Sequence, residues 1–222
     1  MQVFFHVLRR EIRRFMRHRN DLLQPLIFFL LVVTLISLAI GPDERLFSRV
    51  APAMAWVAVV LAITLRLDAL FNEDYADGTL EQFSLGSTPL VVTVAAKLVA
   101  HWLGLALPQI ISAIIFMLAV GTAPGVTLTL CGSLLLGTPT LIAIGAIANA
   151  LTLGARAGGT LVALLAVPLY LPILIFGAGA VTNAGKDLPV SAELYFLAGI
   201  SVLAITLCPL ACAASIRTRL AV

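Results

Sequence analysis

A chain of 222 residues could fold as one or two soluble domains, but 61% of it is hydrophobic and only 11% is charged, against ~45–50% and ~25% in soluble proteins. Between Lys97 and Lys186 the only Lys, Arg, Asp or Glu is Arg156, and no water-facing surface can be built from such a stretch. The net charge of +3 does not point to nucleic acid, because six of the fourteen basic residues fall within Arg9 to Arg19, ahead of the first apolar run; basic residues placed there set membrane orientation.

In chain order, Phe4, Val7, Leu8, Ile12 and Phe15 recur at helical spacing, with Arg9, Arg10, Arg13, Arg14 and Arg17 on the remaining faces. This predicts an amphipathic helix over residues 1–20, lying in the inner membrane interface with its arginines available to anionic lipid. The alternative is a frayed basic leader that only sets topology. Ser37-Leu38-Ala39 has the small residues of a cleavage site, yet the preceding run of about nineteen apolar residues exceeds a signal h-region of ~7–15, so it reads as a retained span.

A hydrocarbon core ~30 Å thick needs ~20 apolar residues per helix, and cutting at charges and Pro/Gly clusters gives six spans, roughly 22–40, 51–67, 90–119, 126–151, 159–181 and 191–214. The fold class is therefore an all-α membrane protein with six transmembrane helices, forming one domain over 1–222 without internal repeats. With both termini cytoplasmic, eleven of the fourteen basic residues fall inside, leaving Arg45, Arg49 and Lys186 outside; this is the bias expected of an N-in, C-in chain.

The loop between spans two and three, residues 68–88, is the one large inner loop. Gly78 breaks it, Thr79 is placed to cap, and Gln82 three residues on would complete a capping box, predicting a short helix over roughly 80–86. Leu80, Phe83 and Leu85 beside Glu81 would then form an apolar and acidic knob suited to docking. From composition alone, a solvated acidic loop whose apolar residues lie on the membrane fits equally well.

Polar residues inside spans are functional candidates by default. Lys97 is expected to snorkel to the cytoplasmic interface, and His101 beside Trp102 is the only histidine within a span. A haem-ligand or proton-relay role for Lys97, His101 and Trp102 competes with the plainer reading of a hydrogen-bonded interfacial anchor. Arg156 lies in a short Gly-rich link. In span four, Ser133, Gly137 and Gly145 allow close helix approach, with Pro139 between them. Pro168 and Pro172, one turn apart in span five, predict a kinked, irregular segment buried in protein or lining a cavity.

Cys131, Cys208 and Cys212 form no C-x-x-C pattern, and neither lysine lies in G-x-x-x-x-G-K-[ST]. No catalytic triad, carboxylate pair or metal cluster is apparent, so the chain does not read as an enzyme. Two function classes remain: a permease half driven by a separate ATPase, and a stand-alone carrier with a relay through Lys97, His101 and Arg156. Carriers usually show repeats and several midplane charges, and neither is seen here.

A family resemblance rests on Ile40-Gly41-Pro42, Ala51-Pro52 with Trp56-Val57-Ala58, Leu70-Phe71 through Asp77-Gly78-Thr79-Leu80-Glu81-Gln82, Lys97 with Ala100-His101-Trp102, Leu136 to Leu141, and Arg156-x-Gly158-Gly159 leading to Pro168-Leu169 and Pro172-x-Leu174-Ile175-Phe176. In order and spacing these resemble the haem exporter protein B (CcmB) family, permeases of the cytochrome c maturation system. The resemblance implies an ABC-2 exporter fold in the bacterial inner membrane, with the 68–88 loop docking on a separate ATPase, CcmA, which would bind ATP and Mg. It further implies the haem-handling protein CcmC, the small CcmD, the haem chaperone CcmE and a second copy of the chain as partners. No cofactor is expected on this chain itself; haem would be handled by the complex.

Overall fold

The computed structural model describes residues 2–17, 19–86, 89–155 and 158–220, so Arg156 lies outside the described residues. Among these, a leading helix α1 (Gln2–Arg17) is followed by α2 (Arg19–Ile40) and α3 (Glu44–Thr64). Two short helices come next, α4 (Ala69–Ala76) and α5 (Thr79–Leu85). The third span is α6 (Leu90–His101) continued by α7 (Leu107–Ala119), and α8 (Pro124–Leu151), α9 (Gly158–Ala184) and α10 (Ser191–Leu220) complete the fold. Six of these segments are long and apolar enough to cross a membrane, and the protein is an all-α, multi-pass membrane protein.

Span boundaries agree with the expected ones to within three residues except at the end of the sixth, which runs on to Leu220, and at the start of the second. That helix begins at Glu44 because Asp43 caps it, its carboxylate accepting the Arg45 and Leu46 N–H groups at 3.0 Å; Arg45 and Arg49 are carried inside the helix instead of marking its limit.

Lipid tails are as apolar as leucine, so the hydrophobic effect does little to hold helices together here and close packing must do it. The middle of the bundle shows how. Trp56 on α3 is fully buried, and its ring lies against the bare backbone of Gly137 on α8 and Gly177 on α9. A Cβ at Gly137 would come within 2.6 Å of the ring. The indole N–H donates to Ser133 Oγ at 3.2 Å. About two turns further along α8, Gly145 receives Leu67 and the Tyr170 hydroxyl, which donates to the Leu141 carbonyl at 3.0 Å. Small residues on α8 and α9 thus form the socket for Trp56 of α3, Leu67 just past its end and Tyr170 of α9.

Pro139, Pro168 and Pro172 all lie inside continuous helices, and the expected burial of the span-five pair requires correction, because Pro168 and Pro172 are exposed on α9. A distinct irregular segment lies in span three, where Trp102–Ala106 forms a π-helical turn. Pro108 explains its position: lacking an N–H, it cannot bond the Gly104 carbonyl, and Leu107 N–H reaches back five residues to the Trp102 carbonyl, widening the turn.

The Gly177 contact yields a direct test. Gly177→Ala places a methyl group inside the Trp56 ring envelope, so the helices must separate or the indole must leave its rotamer, at about 1–3 kcal/mol. Thermal unfolding in a fixed detergent should fall clearly below that of Gly179→Ala, where a Cβ meets open space.

Candidate functional site

The candidate site lies on the face that carries both chain ends, around the connection between spans two and three. Its turn is made by Gly78, whose φ of 76° places it in the left-handed region where side chains are costly. Asp77 Oδ1 accepts the Thr79 N–H at 2.9 Å, and hydrogen bonding by the Thr79 hydroxyl, with this backbone bond second, holds the Asp77 carboxyl below the ordinary carboxylate range. Thr79 is consequently the first residue of α5 and not its cap, and no Thr79–Gln82 capping box forms; the turn chemistry is supplied by Asp77 and Gly78.

Leu80 also departs from expectation. It is buried, together with Leu70, Phe71, Leu90, Val94 and Ile216, in a core of its own, so it anchors α5 and leaves only part of the anticipated knob outside. Glu81 and Gln82 are exposed, Leu85 is 89% exposed, and Phe83 is half-buried with the Arg10 guanidinium 5.0 Å above its ring. Of the two readings of this loop, the short helix is the one found, a platform with an apolar tip in place of a solvated loop.

An amide and an ion cluster fix that platform. Asn149, fully buried on α8, accepts the Phe71 N–H at 2.9 Å and donates to the Asp68 carbonyl at 2.8 Å, satisfying both backbone groups at the start of α4. Asn149 was legible as a lone amide in an apolar helix, yet its partners lie 78 and 81 residues away. At the other end of α4, Asp74 is paired with Lys97 of α6 and with Arg10 (3.2 Å) and Arg14 (3.3 Å) of α1. Glu11 completes the group, 2.6 Å from Arg10 and 3.7 Å from Lys97, while Arg14 also pairs with Glu73. Side chains of Glu11, Asp74 and Lys97 are all at most 2% exposed.

Three expectations change here. Lys97 does not snorkel, because two buried acids neutralise it in place. Arg10 and Arg14 are committed to protein carboxylates and not free for lipid, although Arg9, Arg13 and Arg17 stay exposed near an open apolar stripe of Phe5, Leu8, Ile12 and Met16. Glu11 was missed, though a charge between Val7 and Phe15 on the apolar face of α1 was its signal.

Lys97, His101 and Trp102 do not form one site. His101 Nδ1–H donates to the Lys97 carbonyl at 3.0 Å, and its ring meets Phe15 edge-on with centroids 5.0 Å apart. It lines a cavity of about 20 Å³ beside Glu11, Arg14 and Glu73, enough for a single water and far too small for a porphyrin. Trp102 points the other way, donating to Thr138 Oγ1 at 2.9 Å and lining an apolar groove of about 580 Å³ between α6, α8 and α10 that Pro139, Val202 and Pro209 also border.

Comparison with known proteins covers nearly the whole chain. The family described as CcmB protein matches residues 2–219. The chain is 45% identical to heme exporter protein B of Haemophilus influenzae over 98% of its own length and 99% of that protein. Identity is 43% to heme exporter protein B of Pseudomonas aeruginosa, over 97% and 96% of the two chains. For heme exporter protein B of Escherichia coli (strain K12) it is 40%, over 97% and 98%.

The amide clamp gives this site its own test. Asn149→Ala leaves the Phe71 N–H and the Asp68 carbonyl unpaired in a dry setting, costing about 1–3 kcal/mol, whereas Thr79→Ala should change little because Thr79 is no cap. Limited proteolysis within 69–85 should accelerate in Asn149→Ala and stay near the parent rate in Thr79→Ala.

Proposed function

The chain belongs to the CcmB family, and from that membership and the bare tip of α5 we propose that it is the permease subunit of an ABC-type haem export complex in cytochrome c maturation. In this reading it is a membrane component of the haem export system that hydrolyses nothing itself. The platform docks on a separate ATPase of the CcmA type, where ATP and Mg are bound, and transmits its cycle to the spans. CcmC, CcmD, the haem chaperone CcmE and a second copy of the chain are its partners in the bacterial inner membrane. Both termini lie in the cytoplasm, and the open stripe of α1 rests on the inner leaflet.

Leu85 carries the docking assignment. A leucine that is 89% exposed on a helix otherwise fixed by a buried Leu80 is an apolar side chain held out at an entropic cost already met, the arrangement of an interface anchor. Phe83 beside it, roofed by Arg10, adds aromatic surface. Haem ligation by His101 is poorly supported, since α1 closes over the ring and the cavity there is about 20 Å³. The same enclosure weakens a carrier relay, in which Lys97 would have to be free. Subunit motion that exports haem, or that releases a haem-loaded chaperone, fits better.

Two measurements bear on this reading. In nanodiscs, Leu85→Asp and Phe83→Ala should each weaken ATPase association about tenfold or more, the loss of ~1.4 kcal/mol or above expected of an anchor, while Glu81→Gln should change it less than about threefold. If both apolar variants bind normally, the ATPase docks elsewhere. For topology, a cysteine at Asp43 or Asp187 should react with an impermeant thiol reagent from the periplasm and one at Asp77 only after the membrane is opened; labelling of Asp77 from outside would reverse the orientation.

A further inference from the structure

The platform is joined to span three by charge, and this join has a mechanical consequence. α4 is held at its start by Asn149 of α8 and at its far end by the Asp74–Lys97 pair to α6. An eight-residue helix is ~12 Å long, so α4 is a short rigid arm with a pivot on α8 and a load point on α6. Force applied at the tip of α5 would turn that arm about Asn149 and displace Lys97. Five residues beyond Lys97 begins the π-helical turn Trp102–Ala106, the point at which span three can bend most readily. α1 braces both places at once: Arg10, Glu11 and Arg14 enclose the ion pair, and Phe15 lies on Gly104 within the π turn, where a Cβ would come 2.9 Å from its ring.

We propose that the buried Glu11–Lys97–Asp74 cluster is the transmission joint of this protein, carrying movement of the α4–α5 platform into the π turn of span three, with α1 as the brace that keeps the joint closed. The three residues act as positioning residues. The cluster contains three cations and three anions: Arg10, Arg14 and Lys97 against Glu11, Glu73 and Asp74. Complete neutralisation lets the charges stay in a low-dielectric setting, where a separated pair would be costly; the joint therefore holds as one body instead of loosening by degrees. On the Lys97 side of the π turn, Ala95, Leu98, Val99 and Trp102 of span three form one wall of the groove, facing Ile205 of α10, so a swing of α6 about that turn changes the width of the groove. This rests on the reading that a partner ATPase pushes on α5.

The test uses Asp74→Asn with Lys97→Met, a double change that removes one charge of each sign and so keeps the cluster neutral, where either single change would leave a buried charge unpaired. Spin labels at Val99→Cys and Ile205→Cys, on opposite walls of the groove, report its width in nanodiscs containing the partner ATPase. The parent should show an ATP-dependent change in that distance, and the double variant should lose about nine-tenths of it while binding the ATPase within about twofold of the parent. Retention of the full distance change with the ATPase still docked through Leu85 would overturn the joint and leave the docking reading standing.

Hydrogen exchange on the chain without ATPase separates the two failures. Exchange in residues 3–17 and 69–85 should rise together, about tenfold, in the double variant, because one joint holds both segments. A rise in only one segment, or in neither, would overturn the proposal even if docking proved to lie elsewhere. Should the double variant fold poorly, Arg10→Gln with Glu11→Gln takes its place, and it should free residues 3–17 and reduce the distance change by at least half; an unchanged brace in that variant would equally overturn it.

Discussion

Lys97 has been taken out of water in a chain that has few charges to set against it, and the arrangement of the terminus-bearing face follows from that constraint. An ammonium moved into an apolar interior without a partner costs many kcal/mol, and removing one partner from a buried pair typically costs about 3–5 kcal/mol. Span three therefore cannot stand alone. It needs an acid from the connection to its N-terminal side, which is Asp74, and it draws a second, Glu11, from a helix that precedes the first span altogether. Two acids against one lysine would again be unbalanced, and Arg10 and Arg14 together with Glu73 restore neutrality. Once these charges meet, α1, α4 and α6 have little freedom left relative to one another, and the segment between spans two and three becomes an ordered platform because its acid is required inside.

The rest of the bundle is held by a different kind of cohesion. Across its middle there are no charges to pair, and lipid offers leucine side chains as good a surroundings as protein does. Trp56 against Gly137 and Gly177, and Leu67 against Gly145, show the remedy: backbone brought close enough for dispersion contacts that lipid tails cannot match. Buried hydrogen bonds then fix rotation as well as distance, with Ser133 meeting the Trp56 indole and Leu141 meeting Tyr170. At the opposite face, the Asn183 amide donates to Glu193 at 2.7 Å and ties α9 to α10. Socket packing sets the spans, and charge sets what hangs from them.

This division also explains what could be read from the sequence. Six spans, their lengths and the amphipathic leader were legible because each depends on the composition or period of one contiguous stretch, and the small residues of span four announced close packing for the same reason. What stayed hidden depends on distant partners. Glu11 reads as a stray acid in a basic leader until it is known that Lys97 lies beneath it, and Arg10 stands 64 residues from the carboxylate it pairs with. Leu80 looks like part of an exposed knob because its local pattern cannot say that Leu70, Leu90 and Ile216 converge on it. The prolines misled in the other direction. Pro168 and Pro172 drew attention by their spacing, but a helix that keeps its remaining bonds can carry them on an outer face, whereas the single Pro108, with no N–H to give the Gly104 carbonyl, accounts for the widened turn of span three.

His101 and Trp102, adjacent in sequence, mark two sides of span three with opposite character. On the His101 side the Nδ1–H is bonded to the Lys97 carbonyl and the free space amounts to about 20 Å³, whereas the Trp102 side opens a groove of about 580 Å³ whose described lining offers apolar side chains and Ser201, with no histidine, cysteine or methionine to reach iron. A large flat apolar molecule could find surface on the second side but no ligand, and a ligand but no room on the first. Haem chemistry in the usual sense, an axial side chain facing an open pocket, is thus divided between two faces of one helix. The residues that a sequence reading singles out for haem are better understood by what they hold: Lys97 and His101 hold α1 and the platform against span three, and Trp102, through Thr138, holds the wall of the groove against α8. Lys97 and His101 lie just before the widened turn and Trp102 is its first residue, so the polar and the apolar attachment sit on the same side of the point where span three bends most readily.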